Sequence, residues 1–447
     1  MSSSFKNITI SRIAKMLCTT SLVFGFVLCP PAWAKPAHRF GDVARPPRHG
    51  HHATTAANAE RSSAPASSQE TPDVSAGPID WLGQDRATLE ERGVAIEARL
   101  VVDWSGPFSG GSRKRDTARS LFDVNVAFDL EPILGLSGGT LFMDAYGFWG
   151  RNGANDTGEF LIYSNIDADD ERFQLAEVWY EQYLFSERLR IKLGKVEANS
   201  EFAFVDAAGD FINSSAGPSP TIFPLPTYPE PAMSVNVFAY PTDFFYLGAA
   251  VYDGAGNDGV PTGKRGPKTF FSSSKSNDYF AIGEVGFVWD GGRIAAGPWF
   301  HTADFERWEG GSDDGTVGMF AVAEYQVWRE NPKADGDEQG VAVFGRYGYA
   351  DKDLMDVEAV HHIGVGVLWN GAIPGRDDDA VGLRLSWVDL SDEAGFNSNE
   401  TALELFYLCQ LTSFLGVKAD LQYFANPAGD DSATDVVVGG LRIEVGF

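Results

Sequence analysis

The chain has 447 residues and a formal charge of −27, with 44% hydrophobic residues, 13% aromatics and 49 glycines. So acidic a surface argues against nucleic acid and bare anionic membrane as partners. The apolar content leaves two classes open, a large secreted β-protein and an outer-membrane barrel.

The first elements are not part of the fold. Lys6, Arg12 and Lys15 form a basic n-region, Met16 to Leu28 is apolar but short, and Ala32-Trp33-Ala34 supplies an A-x-A cleavage pattern. Residues 1–34 therefore read as a secretory signal peptide cut after Ala34. A short membrane anchor is the alternative, and the length of the run speaks against it. Cys29 follows Val27-Leu28, which lacks the small residue of a lipoprotein site. Cys18 and Cys29 leave with the signal, and the charge moves to about −30. Only Cys409 remains, so no intramolecular disulfide can form. In a strand that residue reads as a small apolar side chain rather than a nucleophile.

Residues 35–78 are rich in Ala, Ser, Pro, Thr and His, cannot bury enough apolar surface to fold, and read as a disordered tail. "RHGHH" holds His49, His51 and His52 in a segment with no partner ligands, so no metal and no cofactor is assigned. Residues 79–447 form the remaining domain. Over about 80–92, Trp81, Leu82 and Leu89 recur at helical spacing before Gly93, which predicts one short amphipathic helix, the only helix expected.

From Gly93 the apolar period becomes two and stays there. "VAIEARLVV", "SLFDVNVAFDL", "RLRIKLG", "AVGLRLSWVDL" and "FLGVKADLQYF" are the clearest of about sixteen segments. The tight links "FSER", "TD", "DGG" and "TS" tend to alternate with long polar ones such as "RNGANDTGEFLIYSNIDADDER" and "GAGNDGVPTGKRGPKTFFSSSKSND". "ENPKADGDEQ" and "IPGRDDD" break the alternation. The last segment, "VVVGGLRIEVGF", has one apolar face, one face with Arg442 and Glu444, and a terminal Phe447. In a soluble sandwich, the competing reading, the apolar face would turn inward; in an outer-membrane barrel it meets lipid and the polar face lines a wet lumen. The signal peptide, the loop lengths and aromatics near strand ends (Trp149, Trp289, Trp299, Trp369, Trp387) favour an all-β transmembrane barrel of about sixteen antiparallel strands.

The residues in "LAEVWYEQYL", "IKLGKVEANSEFAF", "DAAGDFINSSAG" and "PLPTYPEPAM", in that order, with the opening "DWLGQDRATLEERGVAIEARL", resemble the carbohydrate-selective porin family (OprB type). The likeness covers most of the chain from about Asp80 to Phe447, the second half mainly in texture; the long tail departs from it. It implies a sixteen-stranded barrel that passes small sugars passively across the outer membrane of a Gram-negative bacterium, without naming the sugar. The expected partners are sugars, outer-membrane lipid and lipopolysaccharide, and the assembly machinery that reads a C-terminal strand ending at Phe447. A general or ion-selective porin is the alternative, followed by a barrel enzyme or surface-binding protein.

No H-E-x-x-H or Walker loop occurs, and no nucleophile stands with a base, so no catalytic residue is assigned. His361 and His362 are adjacent in a strand and face opposite ways. Acidic runs such as "DADDE", "GSDDG" and "GRDDDA" read as solvated loops, with weak divalent-cation binding as a second use.

Two expectations concern function. The link from Glu197 to Pro231 carries Phe202, Phe204, Val205, Phe211, Ile212, Ile222, Phe223 and Leu225, too apolar for an outer loop. It is expected to fold into the lumen and narrow it, with Phe202, Phe204, Phe211 and Tyr228 in the constriction; packing on other external loops is the alternative. In "LAEVWYEQYLFSERLRIKLGKV" a turn at Phe185 to Arg188 would pair Tyr183 with Arg190, Glu181 with Lys192 and Trp179 with Gly194. Glu177, Trp179, Glu181, Arg190 and Lys192, with Asn213 from the loop, are the candidate sugar contacts, carboxylates and cations for hydroxyls and an indole for C–H faces. The competing view is that these charges only brace the wall.

Overall fold

A computed structural model describes residues 86, 88–166, 171–268, 270, 271, 278–332 and 339–446. The expected signal peptide (residues 1–34), the expected tail (residues 35–78) and Phe447 lie outside them. Of the predicted N-terminal helix, Arg86 and residues 88–91 are helical, and Gly93 follows at φ 82°. Short helices also occupy Leu130–Leu134 and Ala154–Thr157, which the apolar period did not announce.

Sixteen antiparallel strands among the described residues close into one barrel. They are β1 (Val94–Ser109), β2 (Thr117–Asp129), β3 (Gly139–Gly150), β4 (Arg172–Leu184), β5 (Leu189–Val196), β6 (Ala232–Thr242), β7 (Phe245–Asp253) and β8 (Tyr279–Trp289). The second half runs β9 (Gly292–Glu306), β10 (Ser312–Arg329), β11 (Gly340–Ala350), β12 (Ala359–Asn370), β13 (Ala380–Leu390), β14 (Glu400–Thr412), β15 (Leu415–Ala425) and β16 (Val436–Gly446). Each strand pairs with its neighbours in sequence, and β1 pairs with β16, Asp103 opposite Arg442. Closure satisfies every edge that hydrocarbon could not. The shorter links share an end with the start of β1 and the end of β16, the periplasmic arrangement of such barrels. Both irregular links fall at that end, 330–339 and 371–379. In the second, Asp379 is buried beneath Arg376, Tyr407 and the Gln410 amide, so "GRDDDA" is not wholly a solvated loop.

The burial pattern is inverted relative to a soluble sheet. On β16 Leu441 and Ile443 are exposed while Arg442 is buried; on β5 Leu193 is exposed while Lys192 is buried. Charged residues inside and aliphatic ones outside suit a wall between lipid and a polar interior. Trp149, Trp289 and Trp369 sit exposed, as a membrane-interface belt requires. Trp299 does not: it is buried in the lumen, edge-on to Phe223 and 6.2 Å from Phe280. His361 and His362 do diverge, His361 toward Tyr347 and His362 into the lumen between Ser219 and Ser386.

The seam between β1 and β16 depends on a buried pair. Arg442 Nε and Nη2 donate to Asp103 at 2.6 and 2.8 Å, and both side chains are 4% exposed. Arg442→Met should strand the Asp103 charge and lower barrel stability by about 3–5 kcal/mol. The check is the temperature at which the folded band disappears on heated electrophoresis; Asp103→Asn added to Arg442→Met should recover part of the loss.

Candidate functional site

The β4–β5 hairpin has the register that alternation implied. Phe185, Ser186 and Glu187 form the turn at φ 54°, 54° and 64°, and Tyr183, Glu181 and Trp179 face Arg190, Lys192 and Gly194. A Cβ on Gly194 would lie 2.2 Å from the Val178 carbonyl oxygen, so backbone approach, rather than room for a sugar ring, demands glycine there. Lys192 and Arg190 converge on Glu181, at 3.3 and 3.5 Å, and on Glu201 from the following loop. Lys192 Nζ donates to Glu201 Oε1 at 2.5 Å and Arg190 takes the other oxygen. Burial would raise the Glu201 carboxyl, but the Arg190 and Lys192 charges outweigh it and hold it below the usual carboxylate range.

This cluster leaves little surface for a solute. Phe142 stacks on Trp179 at 4.7 Å, and Lys192 lies 3.8 Å over the indole. Trp179, Glu181, Arg190 and Lys192 are buried, and Asn213 is 0% exposed. Arg190 and Lys192 latch the loop through Glu201, and among the six candidate residues Glu177 keeps partial exposure.

The loop from Glu197 to Pro231 crosses the lumen. The Ala203 amide donates to Glu284 on β8, Arg293 on β9 donates to the Phe204 carbonyl and lies 3.9 Å over its ring, and the Ala207 amide donates to Glu324 on β10. Phe211 wedges edge-on between Phe344 and Phe406, at 5.6 and 4.9 Å, over Gly382, where a Cβ would come within 2.7 Å of its ring. Lys418 donates to the Asp210 carbonyl, and the Ile212 and Asn213 amides donate to Glu404. Arg346 on β11 binds the carbonyls of Ser215, Ala216 and Gly217, and Arg384 on β13 binds that of Ser215. Phe202 is buried against Phe238, while Tyr228 packs between Tyr146 and Phe148.

A second loop also folds inward, although its sequence looked like an outer link. In residues 151–171, Leu161, Tyr163 and Ile166 are buried. Glu400 accepts from the Phe160 and Leu161 amides at 2.7 Å each, Arg119 donates to the Tyr163 hydroxyl, and Ser164 donates to Asp103. The two loops are stitched together: Asn165 N donates to Ile212 O at 2.7 Å, Ser214 N to Ile162 O at 2.9 Å, and Asn213 Nδ2 to Leu161 O at 2.9 Å. The missed signal was "FLIYSNI", apolar for the same reason as the first loop.

Together the loops cover most of the polar lumen residues of β8 to β15. Polar side chains that keep partial exposure include Arg99, Asp123 and Glu177 on β1, β2 and β4, Glu324 on β10, Glu444 on β16, and Asn165, Glu197, Asp210 and Tyr228 on the loops. Arg99 donates to Glu444 at 2.8 Å, and Asn165 accepts from Arg442 at 2.7 Å.

The inner loops yield two tests. Glu201→Gln should free the long loop and raise single-channel conductance, since it leaves Arg190 and Lys192 with Glu181 alone; an unchanged conductance in a folded barrel would contradict the latch. Glu159, in the other inner loop, is pushed up to about 8 by burial. A raised carboxyl favours docking fully below the ordinary carboxylate range, and that contribution is lost as pH rises through about 8. Amide exchange of 158–166, corrected for chemical rate, should therefore be faster at pH 9 than at pH 6, and Glu159→Gln should flatten the difference.

Known proteins share this architecture. Porin B of Pseudomonas aeruginosa is 23% identical over 427 residues, covering 82% of this chain and 90% of that protein. The high-pH structure of Pseudomonas putida OprB superposes with a TM-score of 0.73 at 20% identity, over 82% of this chain and 97% of that one. Its low-pH structure gives 0.54 at 18% identity, over 83% and 97%. Residues 114–447 match the family described as carbohydrate-selective porin, OprB family. With its closed sixteen-stranded barrel and lumen-crossing loops, the chain belongs to the carbohydrate-selective porins of the OprB family.

Proposed function

We propose that this outer-membrane porin, which is a channel and not an enzyme, passes small sugars through the gap between the stitched loops and the wall of β1 to β4 and β16. The supporting observation is the distribution of exposure. Loop backbone occupies most of the polar groups of β8 to β15, whereas Arg99, Asp123, Asn165, Glu177, Asp210 and Tyr228 keep exposed surface. That set suits a sugar: carboxylates accept from hydroxyls, Arg99 and the Asn165 amide donate to them, and the Tyr228 ring offers an apolar face to C–H groups. A few such contacts hold a solute weakly enough for release. Trp179, Glu181, Arg190, Lys192 and Asn213 act on this path through the loop they hold, as do Phe202, Phe204 and Phe211.

We further propose that the outer rim contacts lipopolysaccharide and that β16 is read by the assembly machinery; the apolar Leu441 and Ile443 face supports the second reading. Deleting Ala207 to Pro220 removes the mid-lumen crossing. In planar bilayers the deletion should raise conductance several-fold and abolish sugar-dependent block of the current. A folded deletion protein with the conductance and block of the parent would refute the passage described here, and a parent channel whose current no sugar alters would instead fit general diffusion.

A further inference from the structure

Strand β5 ends at Val196 and pairs with β4 only from Val178 to Leu184, so the outer end of β4, from Arg172 to Glu177, has no β5 partner. A segment of the β7–β8 link settles against that edge. Lys195 Nζ donates to the carbonyls of Leu175, of Gly263 at 2.8 Å and of Arg265 at 3.3 Å. The Glu230 carboxylate accepts from the Gly263 amide at 2.7 Å and from Arg172, and the Glu230 carbonyl accepts from Thr262 Oγ1 at 3.1 Å. Thr262 and Gly263 are buried, while Lys264, Arg265 and Lys268 are exposed. Backbone pinned in this way keeps the three cations at the rim.

Exposed cations are scarce at the outer end of this acidic chain. Among the described residues they fall in two runs, 113–115 and 264–268, with Lys352 apart. In the first run Arg113 already faces Asp156 at 3.8 Å. Beneath the second the outward face of β4 is apolar: Phe173 and Leu175 are 60% and 46% exposed. Phe173 meets the interface residue Trp149 over Gly147, where a Cβ would lie 2.8 and 2.5 Å from the two rings. The Lys195 ammonium that holds the Arg265 carbonyl also holds that of Leu175, so the cationic run stands directly above this patch. Aromatics of this kind mark the level of the lipid headgroups.

We propose that Lys264, Arg265 and Lys268, with Trp149, Phe173 and Leu175 beneath them, form a seat for a phosphate-bearing glycolipid of the outer leaflet, the lipid A end of lipopolysaccharide. This inference rests on the rim contact proposed above and gives it a place and a chemistry. The phosphates pair with the cations, and the acyl chains cover the apolar patch. Each Lys or Arg at an anionic membrane surface is worth about five-fold in affinity, and salt screens the attraction.

The test is binding of fluorescent lipid A to the purified protein in non-ionic detergent, each variant checked for folding by heat-dependent gel mobility. The triple variant Lys264→Ala, Arg265→Ala, Lys268→Ala should bind at least about ten-fold more weakly, and lipid A stripped of its phosphates should bind the parent as weakly. If the triple variant does not fold, Arg265→Glu carries the test. Phe173→Ala should weaken binding of both lipids. The triple variant Arg113→Ala, Lys114→Ala, Arg115→Ala should bind as the parent does; a loss there equal to that of the first triple overturns the assignment to this run. Displacement of lipid A by millimolar inorganic phosphate would reveal a bare anion site and overturn the lipid seat. A parent dimer that the first triple loses would instead assign the cations to the acidic loops of a second copy. Unchanged affinity in the folded triple overturns this seat alone, and a parent that binds no lipid A overturns the rim contact with it. Sugar block of the current should be the same in parent and triple, so the sugar passage stands or falls separately.

Discussion

The interior depends on one requirement: backbone brought into a barrel lumen must have its N–H and C=O groups satisfied there. A strand satisfies its groups with its neighbours, but a crossing loop has none. The lumen wall supplies side chains instead, sorted by polarity. Carboxylates take the amides, as Glu284, Glu324, Glu400 and Glu404 do for Ala203, Ala207, Phe160, Leu161, Ile212 and Asn213. Cations take the carbonyls, as Arg293, Arg346, Arg384 and Lys418 do for Phe204, Ser215, Ala216, Gly217 and Asp210. Many of the lumen's charges are therefore structural, and the net charge of the chain is a poor guide to what the passage selects.

Aromatic packing adds to this scaffold without replacing it. Phe211 seats on the floor that Gly382 leaves between Phe344 and Phe406, and Phe223 meets Trp299 and Phe305 edge-on. Removing such side chains from water contributes roughly 25 cal/mol per Å². The barrel consequently has a true apolar core inside its lumen, reaching from Phe142 and Trp179 on β3 and β4 to Phe344 and Phe406 on β11 and β14.

The barrel and much of its register were legible because a membrane strand repeats a two-residue signal and the β4–β5 turn leaves one pairing that buries the charges. The infolding of 197–231 was legible because eight large apolar residues cannot stay in an outer loop. The second loop was missed because Phe160 to Ile166 is a short apolar run between polar ends, and a run of that length also occurs at strand ends. The burial of Trp179 was not legible for a different reason. Period two gives the face of a side chain, but not what a distant loop lays upon it, and Glu201 reaches Lys192 and Arg190 only after the loop has folded back. Trp299 was placed at the interface by its type, whereas its parity on β9 turns it inward.

The stitch between Ile162–Asn165 and Ile212–Ser214 has a consequence for how this channel can change over generations. Because each loop holds the other, a substitution on β8 to β15 that altered one docking contact would disturb both. The wall of β1 to β4 also holds the loops, through Asp103, Arg119, Tyr146 and Phe148, but Arg99 pairs with the strand residue Glu444. Diversification of solute preference among descendants should concentrate at positions such as Arg99, where a new side chain can alter what passes without loosening what holds the loops in place.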